Sequence, residues 1–171
     1  MKKIGLKRGT VKILLHQNSW HLNFEKEKKL ILSLNNKHIK AIEHVGSTAV
    51  PNMPAKPIID LNIGIDNFYN SSKLIKPLSK IGYKFTLKPR RFQWLFVKQD
   101  GEYQTHYLKI IKYKGHYWKE YQAFKAKLSN NKKAFKQYKT LKLRQGLIYS
   151  EDRKKYTANK AALIKEILYK A

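Results

Sequence analysis

The sequence of 171 residues contains no cysteine. This absence excludes disulfide bonds, thiolate metal ligands and a catalytic thiol. Long apolar runs are missing as well, and the N-terminus lacks the apolar segment and the small-residue cleavage site of a secretory signal. We therefore expect a cytoplasmic protein that makes no membrane contact.

Acidic residues are scarce, with 11 aspartates and glutamates against 37 lysines and arginines, so the formal net charge is +26. A positive field of this size attracts polyanions such as RNA, DNA and nucleotide phosphates. Arginine is also rare, and most of the positive charge is lysine, for which a base bias of the genome is an alternative explanation. Because such a bias favours glutamate codons as readily as lysine codons, the shortage of acidic residues keeps a polyanion partner open.

The remaining composition suffices for one core, since 42% of the residues are hydrophobic and 12% are aromatic. There is no internal repeat, low-complexity tract or glycine/serine linker. We predict a single domain over residues 1–171, with an α/β core over about 1–113 and a helical part over about 114–171. The spacing of apolar residues predicts a first helix from Ser19, strands at 39–43, 58–65, 83–87, 92–99 and 102–110, a helix over 71–81, and helices from about His116 onward.

A turn and the strand that follows it carry the main chemical signal. Gly46, Ser47 and Thr48 form a sharp turn in which glycine lets a phosphate approach the backbone, while hydroxyls and amides favour negative charge. An ordinary capped turn has the same pattern. On the next strand, Asp60 and Asn62 point to the same side by alternation, and their oxygens suit Mg²⁺ or Mn²⁺. The sequence therefore predicts a phosphate-and-metal site here.

The proposed metal pair is incomplete. An amide is a poorer Mg²⁺ ligand than a carboxylate, so Asp60 and Asn62 supply one negative charge where a strong site has two or three. A surface salt bridge is the alternative role for Asp60. We assign Asp60 and Asn62 as catalytic and metal-binding residues, while the single charge favours nucleotide binding over catalysis.

The stretches around these residues resemble the signature of the GrpB family, also called the UPF0157 family: Glu43-His44-Val45-Gly46-Ser47-Thr48-Ala49-Val50-Pro51 and Ala55-Lys56-Pro57-Ile58-Ile59-Asp60. The resemblance continues through Arg90-Arg91-Phe92, Phe96-Val97-Lys98, Thr105-His106, Tyr138 with Lys142, and Tyr156 with Lys160. It implies membership of the nucleotidyltransferase superfamily. The implied fold is α/β (α+β), with a polymerase-β-like nucleotidyltransferase core, a mixed sheet and a helical C-terminal part.

The chain departs from the family pattern at three positions. Asn52 stands where glycine is usual, and Tyr107 and Lys109 stand where many members have histidine. Further candidates for nucleotide or phosphate binding, with Gly46, Ser47 and Thr48, are Lys56, Arg90, Arg91, His106, Lys142 and Lys160. Alternation also allows His106 to be a packed core residue, and each of the last two lysines to cover the tyrosine one helical turn earlier.

These expectations support three functions. The first is Mg²⁺-dependent transfer of a nucleotidyl group from a nucleoside triphosphate to an unknown acceptor, with an anionic acceptor recruited by the basic surface. The second is a non-catalytic nucleotide-binding or RNA-binding module on the same fold. A third is a structural partner of another protein, in which the lysines contact an acidic surface.

Overall fold

The computed structural model describes residues 4–169 and has an α+β fold with a mixed sheet, as expected. Short 3-10 helices lie at Ser47–Ala49 and Phe68–Leu74. The remaining elements are β1 (Leu6–Lys7), α1 (Ser19–Leu32), β2 (Ile39–Val45), β3 (Ile59–Ile65), α2 (Ile75–Lys80), β4 (Tyr83–Arg90), β5 (Gln93–Asp100), β6 (Tyr103–Lys112), α3 (His116–Asn130), α4 (Lys132–Ile148), α5 (Arg153–Ala158) and α6 (Ala161–Tyr169). None of the helices within residues 4–169 has the length and apolar character needed to cross a membrane.

The sheet has the strand order β2-β3-β6-β5-β4, and β1 pairs with the beginning of β6. Strands β3 and β6 run parallel, and the other neighbours run antiparallel. The register places Asp60 between Val45 on β2 and Tyr107 on β6, and Asn62 between Glu43 and Lys109. Residues from three strands therefore converge around the predicted site.

The two faces of the sheet are covered differently. One face packs against α1 and α2 through a core that includes Trp20, Ile31, Leu61 and Leu78. On the other face α3 lies so close that a Cβ added to Gly64 would meet the Trp118 ring at 2.6 Å. A smaller second core joins α3, α4 and α6 to the segment after the 3-10 turn: Val50, Met53, Leu128, Ala134, Tyr138 and Ile167.

Arg153, the first residue of α5, fastens the C-terminal helices to the N-terminal segment. Its guanidinium donates hydrogen bonds to the carbonyl oxygens of Lys7 and Thr10, and also to Gln104 and the Tyr107 hydroxyl on β6. Its backbone N–H donates to the Gly9 carbonyl at 2.8 Å. The beginning and the end of the chain therefore meet beside the sheet.

The strands predicted from periodicity are confirmed, and so are α1 and the helical C-terminal part. The predicted helix over 71–81 is instead a 3-10 segment followed by the short α2. Pro77 lacks an N–H donor and is tolerated only in the first helical turn, which explains why α2 begins two residues before it. Strand β1 was not predicted, because two residues are too few to show a period.

Candidate functional site

A cleft of about 340 Å³ lies between the sheet and the helices of the C-terminal part. It is lined by side chains from β3, β5, β6, the 3-10 turn and α3 to α6. Eight of the predicted residues line it: Gly46, Ser47, Thr48, Lys56, Asp60, Arg90, Lys142 and Lys160. Residues far apart in the sequence are thus brought to one cavity.

Gly46 allows the turn to lie directly against Asp60. Its φ of 70° is in the region that favours glycine, and a Cβ at this position would lie 2.9 Å from the Asp60 Oδ2 atom. The antiparallel pairing of Val45 with Asp60 brings the two strands to this point. A side chain at residue 46 would both strain the turn and displace the carboxylate.

The two hydroxyl groups of the turn, on Ser47 and Thr48, have different partners. Thr48 is buried, and its Oγ1 atom lies 2.9 Å from the Nε2 atom of His44. The ring of His44 stacks on Phe24 of α1, and burial, followed by the nearby Lys125 charge, lowers the pKa of His44 to about 3. Ser47 contacts the hydroxyl of Tyr138, whose pKa burial raises to about 12. The turn is therefore fixed by a contact between Thr48 and the neutral His44 and by a contact between Ser47 and Tyr138.

The Asp60 carboxylate is already paired with a cation. The Nζ atom of Lys109 lies 3.2 Å from Asp60 Oδ1, and the same ammonium group sits 5.2 Å from the centre of the Tyr121 ring. Burial favours the neutral amine, but the surrounding tyrosines and Asp60 raise the pKa of Lys109 overall. Lys109 therefore stays charged and holds Asp60 in place.

Asn62 is buried and does not line the cleft, so the structure does not bring it together with the turn residues as predicted. It points to the same side of β3 as Asp60, but α3 covers the sheet there. Its two lateral neighbours, Glu43 and Lys109, both contact residues of α3. The side chain is 1% exposed, and its Oδ1 atom has no hydrogen-bond partner in the described part of the chain.

The remaining donors do not fit a Mg²⁺ or Mn²⁺ ion. Within residues 4–169 there is no group of three or more histidine, aspartate or glutamate side chains arranged to hold a metal. Asp60 is the one carboxylate beside the turn, and it is shared with Lys109 and faced by further lysines. Mg²⁺ is usually held by one or two carboxylates together with substrate phosphates, and here the single carboxylate is already paired with a lysine.

Three other lysines converge on the same cavity without a matching set of acids. Lys142 is 2% exposed, and its Nζ atom donates to the Pro54 carbonyl. Lys56 and Lys160 lie over one ring, with their Nζ atoms 5.2 Å and 4.1 Å from the centre of Tyr156. Lys142 lies 5.4 Å from the centre of Tyr138. The two tyrosine–lysine pairs therefore line the cleft from the helical side.

Burial and mutual repulsion destabilise the charged forms of these lysines. Burial is the main cause that lowers the pKa of Lys160 to about 7 and that of Lys56 to about 8, and it holds the pKa of Lys142 well below its usual range. The Lys56 charge also lowers the pKa of Lys142 and Lys160, and the Lys160 charge lowers that of Lys142, while Asp60 is the acidic group that opposes the effect in all three. The cavity is short of negative charge.

The structure places Arg90 at the rim of the cleft and Arg91 and His106 outside it. Arg90 donates to Glu120 of α3 at 2.9 Å. Arg91 lies over the ring of Phe92, on a separate groove. His106 is on the opposite face of the sheet, 7% exposed, with its Nε2 atom 3.8 Å from Glu27, and burial lowers its pKa to about 4. The packed role, rather than phosphate contact, describes His106.

Several residues of the cleft were not assigned from the sequence as site residues. Lys109 and Tyr107 were noted as departures from the family pattern, and that difference was the available signal for them. Tyr121 and Phe124 of α3 line the cavity as well, but their spacing on an amphipathic helix is the same as that of core residues. The ion pair between Asp60 and Lys109 could not be predicted from the sequence.

Comparison with known proteins gives a consistent picture over the whole chain. Residues 10–170 match the family described as GrpB protein. The glutamate-rich protein GrpB of Alkalihalophilus pseudofirmus is 29% identical over 170 residues, which cover 96% of this chain and 98% of that protein. A UPF0157 protein of Pseudomonas aeruginosa is 30% identical over 165 residues, covering 94% of this chain and 67% of that protein. The present chain has few glutamates, so the first name does not describe its composition.

The solved structure of the conserved protein GrpB from Enterococcus faecalis superimposes with a TM-score of 0.82 at 26% sequence identity. The match covers 91% of this chain and 94% of that chain. The arrangement of sheet and C-terminal helices described above is therefore shared with a solved protein.

Proposed function

This chain belongs to the GrpB family, and we propose that its cleft binds the phosphate groups of a nucleoside triphosphate without transferring a nucleotidyl group. The observation that carries the proposal is the convergence of Lys56, Lys142 and Lys160 on one cavity beside the Gly46 turn. Five cationic side chains and two carboxylates line this cavity, and both carboxylates already have a cationic partner. A bound polyphosphate supplies the missing negative charge.

A polyphosphate ligand would relieve the repulsion among the three lysines of the cleft. An anion between the three ammonium groups replaces their mutual repulsion with attraction, and it restores their charged forms. The wall formed by tyrosine and phenylalanine side chains offers apolar surface to a base or sugar. A volume of about 340 Å³ is within the range of small-molecule sites.

Nucleotidyl transfer is the second candidate, on a polymerase-β-like nucleotidyltransferase core as the family resemblance implies. The observation in its favour is the contact between the Gly46 turn and the Asp60 carboxylate. The shortage of metal ligands counts against it, since the single carboxylate is already paired with Lys109 and must give up this partner before it can share a Mg²⁺ ion with the triphosphate. Binding without transfer is therefore the better supported activity.

Calorimetry with the four nucleoside triphosphates tests the proposal, in EDTA and in Mg²⁺ or Mn²⁺, with pyrophosphate release followed in parallel. We expect binding in EDTA and no release of pyrophosphate. Lys160→Met should lower the affinity about tenfold, because one charge-assisted contact is lost. Lys165→Met removes an exposed lysine of α6, the helix that follows Lys160, and should leave the affinity within about twofold.

Two results would decide against the proposal. Binding that requires a divalent ion and is lost in Asp60→Asn, together with release of pyrophosphate, would establish transfer instead. Absence of binding by all four triphosphates, with or without metal, would remove nucleotides as the ligand of this cleft.

A further inference from the structure

A second groove lies on the other side of Arg90, between the 3-10 helix Phe68–Leu74 and the hairpin of β4 and β5. Its volume is about 390 Å³, and it follows β4, which is an edge strand of the sheet. The residues that line it are aromatic, basic or small and polar: Phe68, Tyr69, Ser71, Ser72, Lys88, Arg90, Arg91, Phe92 and Trp94. No acidic side chain of the described residues belongs to this lining.

The aromatic residues of this groove present exposed ring surface. Phe68 supports Phe92 and Trp94 edge to face, with ring centres 5.6 Å and 6.1 Å apart. Phe92 is 44% exposed at the tip of the hairpin, and Tyr69 is 83% exposed. Folding alone gives no reason to place two large rings in water on one groove.

Cations accompany these rings. The Lys88 Nζ atom lies 4.9 Å from the centre of the Trp94 ring, and the Arg91 guanidinium lies 4.8 Å from the centre of Phe92. Arg90 lies at the boundary with the cleft and is neutralised by Glu120. The groove therefore combines exposed ring faces with uncompensated positive charge.

We propose that this groove binds single-stranded nucleic acid, with bases stacked on Tyr69 and Phe92 and phosphates bound by Lys88 and Arg91. Stacking platforms combined with a basic groove are the common means by which proteins bind single strands without strong sequence preference. An anionic membrane surface also binds basic and aromatic side chains. Binding to vesicles of anionic lipid that is tighter than binding to the oligonucleotide, and that Tyr69→Ala weakens, would therefore overturn the proposal. The net charge of +26 brings such a polyanion to the surface. The groove does not require that the cleft binds a nucleotide.

Fluorescence anisotropy with labelled oligouridine and oligothymidine of about ten nucleotides tests the proposal on the full chain. We expect Tyr69→Ala to weaken binding about tenfold. This ring is 83% exposed, so the substitution should not affect folding. Tyr103→Ala, which removes another exposed tyrosine at the start of β6, is the matched control and should bind as the unchanged protein does.

The charges are tested by the salt dependence of binding. Lys88→Ala combined with Arg91→Ala should reduce the slope of log affinity against log salt by about 1.4, since each lost phosphate contact on a single strand contributes about 0.7. The exposed Lys133 of α4 lies outside the groove, and Lys133→Ala should leave the slope unchanged. Protection of Trp94 from acrylamide quenching should accompany binding, because the other two tryptophans are buried.

The outcomes separate this proposal from the one for the cleft. Equal affinity of Tyr69→Ala and the unchanged protein would overturn it, and so would oligonucleotide affinity no greater than that for polyphosphate of the same charge. If Lys160→Met rather than Tyr69→Ala weakens binding of the oligonucleotide, the strand lies in the cleft and the groove proposal is wrong. Preference for RNA over DNA, or the reverse, would identify the strand that the groove accepts.

Discussion

Raising the pH from 7 to 9 should weaken triphosphate binding in the cleft steeply. Lys160 and Lys56 have pKa values of about 7 and about 8 in the free protein, so both lose their charge over this range. A bound polyphosphate favours their charged forms and returns each pKa towards the ordinary lysine value of about 10.4. Binding above pH 7 must therefore take up protons, and affinity falls as pH rises.

The magnitude follows from the two pKa values. If the bound pKa lies above 10, titration of Lys160 lowers the affinity about 50-fold between pH 7 and pH 9, and titration of Lys56 lowers it about tenfold more. The combined loss of binding free energy is about 3.7 kcal/mol. The ligand does not offset it, because a phosphate completes its own second ionisation near pH 6.

Calorimetry in two buffers of different ionisation enthalpy measures the proton uptake directly. At pH 8 we expect at least about 1.4 protons to be taken up for each triphosphate bound, about 0.9 by Lys160 and about 0.5 by Lys56, and recharging of Lys142 adds to this number. Lys160→Met should lose the proton uptake that is assigned to Lys160, while Lys165→Met should take up as many protons as the unchanged protein. A heat that is independent of the buffer, or an affinity that is constant from pH 7 to 9, would refute the reasoning about these lysines.

Three substitutions test the architecture around the two sites. Gly46→Ala should lower the free energy of unfolding by about 2 kcal/mol more than Gly101→Ala in urea denaturation, because both positions have a positive φ but only residue 46 meets a neighbour. Glu27→Ala removes the buried partner of the Lys98 cation and should cost about 3 kcal/mol, whereas the partly exposed Glu25→Ala should cost under about 0.5 kcal/mol; equal costs would contradict the role of the buried ion pair. His44, with its lowered pKa, should contribute a loss of about 2 kcal/mol as pH falls from 7 to 5, since the unfolded chain binds the proton first; His44→Gln should show a correspondingly smaller loss.

The sequence was sufficient for most of the fold because its elements have clear periods. Alternation along 58–65 predicted the buried face of β3 and the position of Asp60. The same rule placed Asn62 beside Asp60 but contained no information on α3, which covers that part of the sheet. Periodicity describes one element at a time, so it cannot show which face another element will cover.

The residues that line the cleft were predicted only in part, because spacing and resemblance identify residues on one element at a time. The turn at Gly46 and the two tyrosine–lysine pairs, one on α4 and one at the end of α5, were found from spacing and resemblance, and the structure places all of them around one cavity. The Asp60–Lys109 pair was missed, since it joins two strands whose register depends on the whole sheet. This pair neutralises the one carboxylate on which the predicted cation site depended, and the proposal of an anion ligand follows from it.

The attachment of Arg153 to the N-terminal segment has a consequence for synthesis of the chain. The strands emerge from the ribosome before α4 and α5, so the sheet and the Gly46 turn can form while the cleft still lacks Lys142 and Lys160. The bonds from Arg153 to Lys7 and Thr10 form only after α5 has been made. The proposed anion site is therefore completed after the sheet, and ligand binding should distinguish a chain that includes α5 from one interrupted before it.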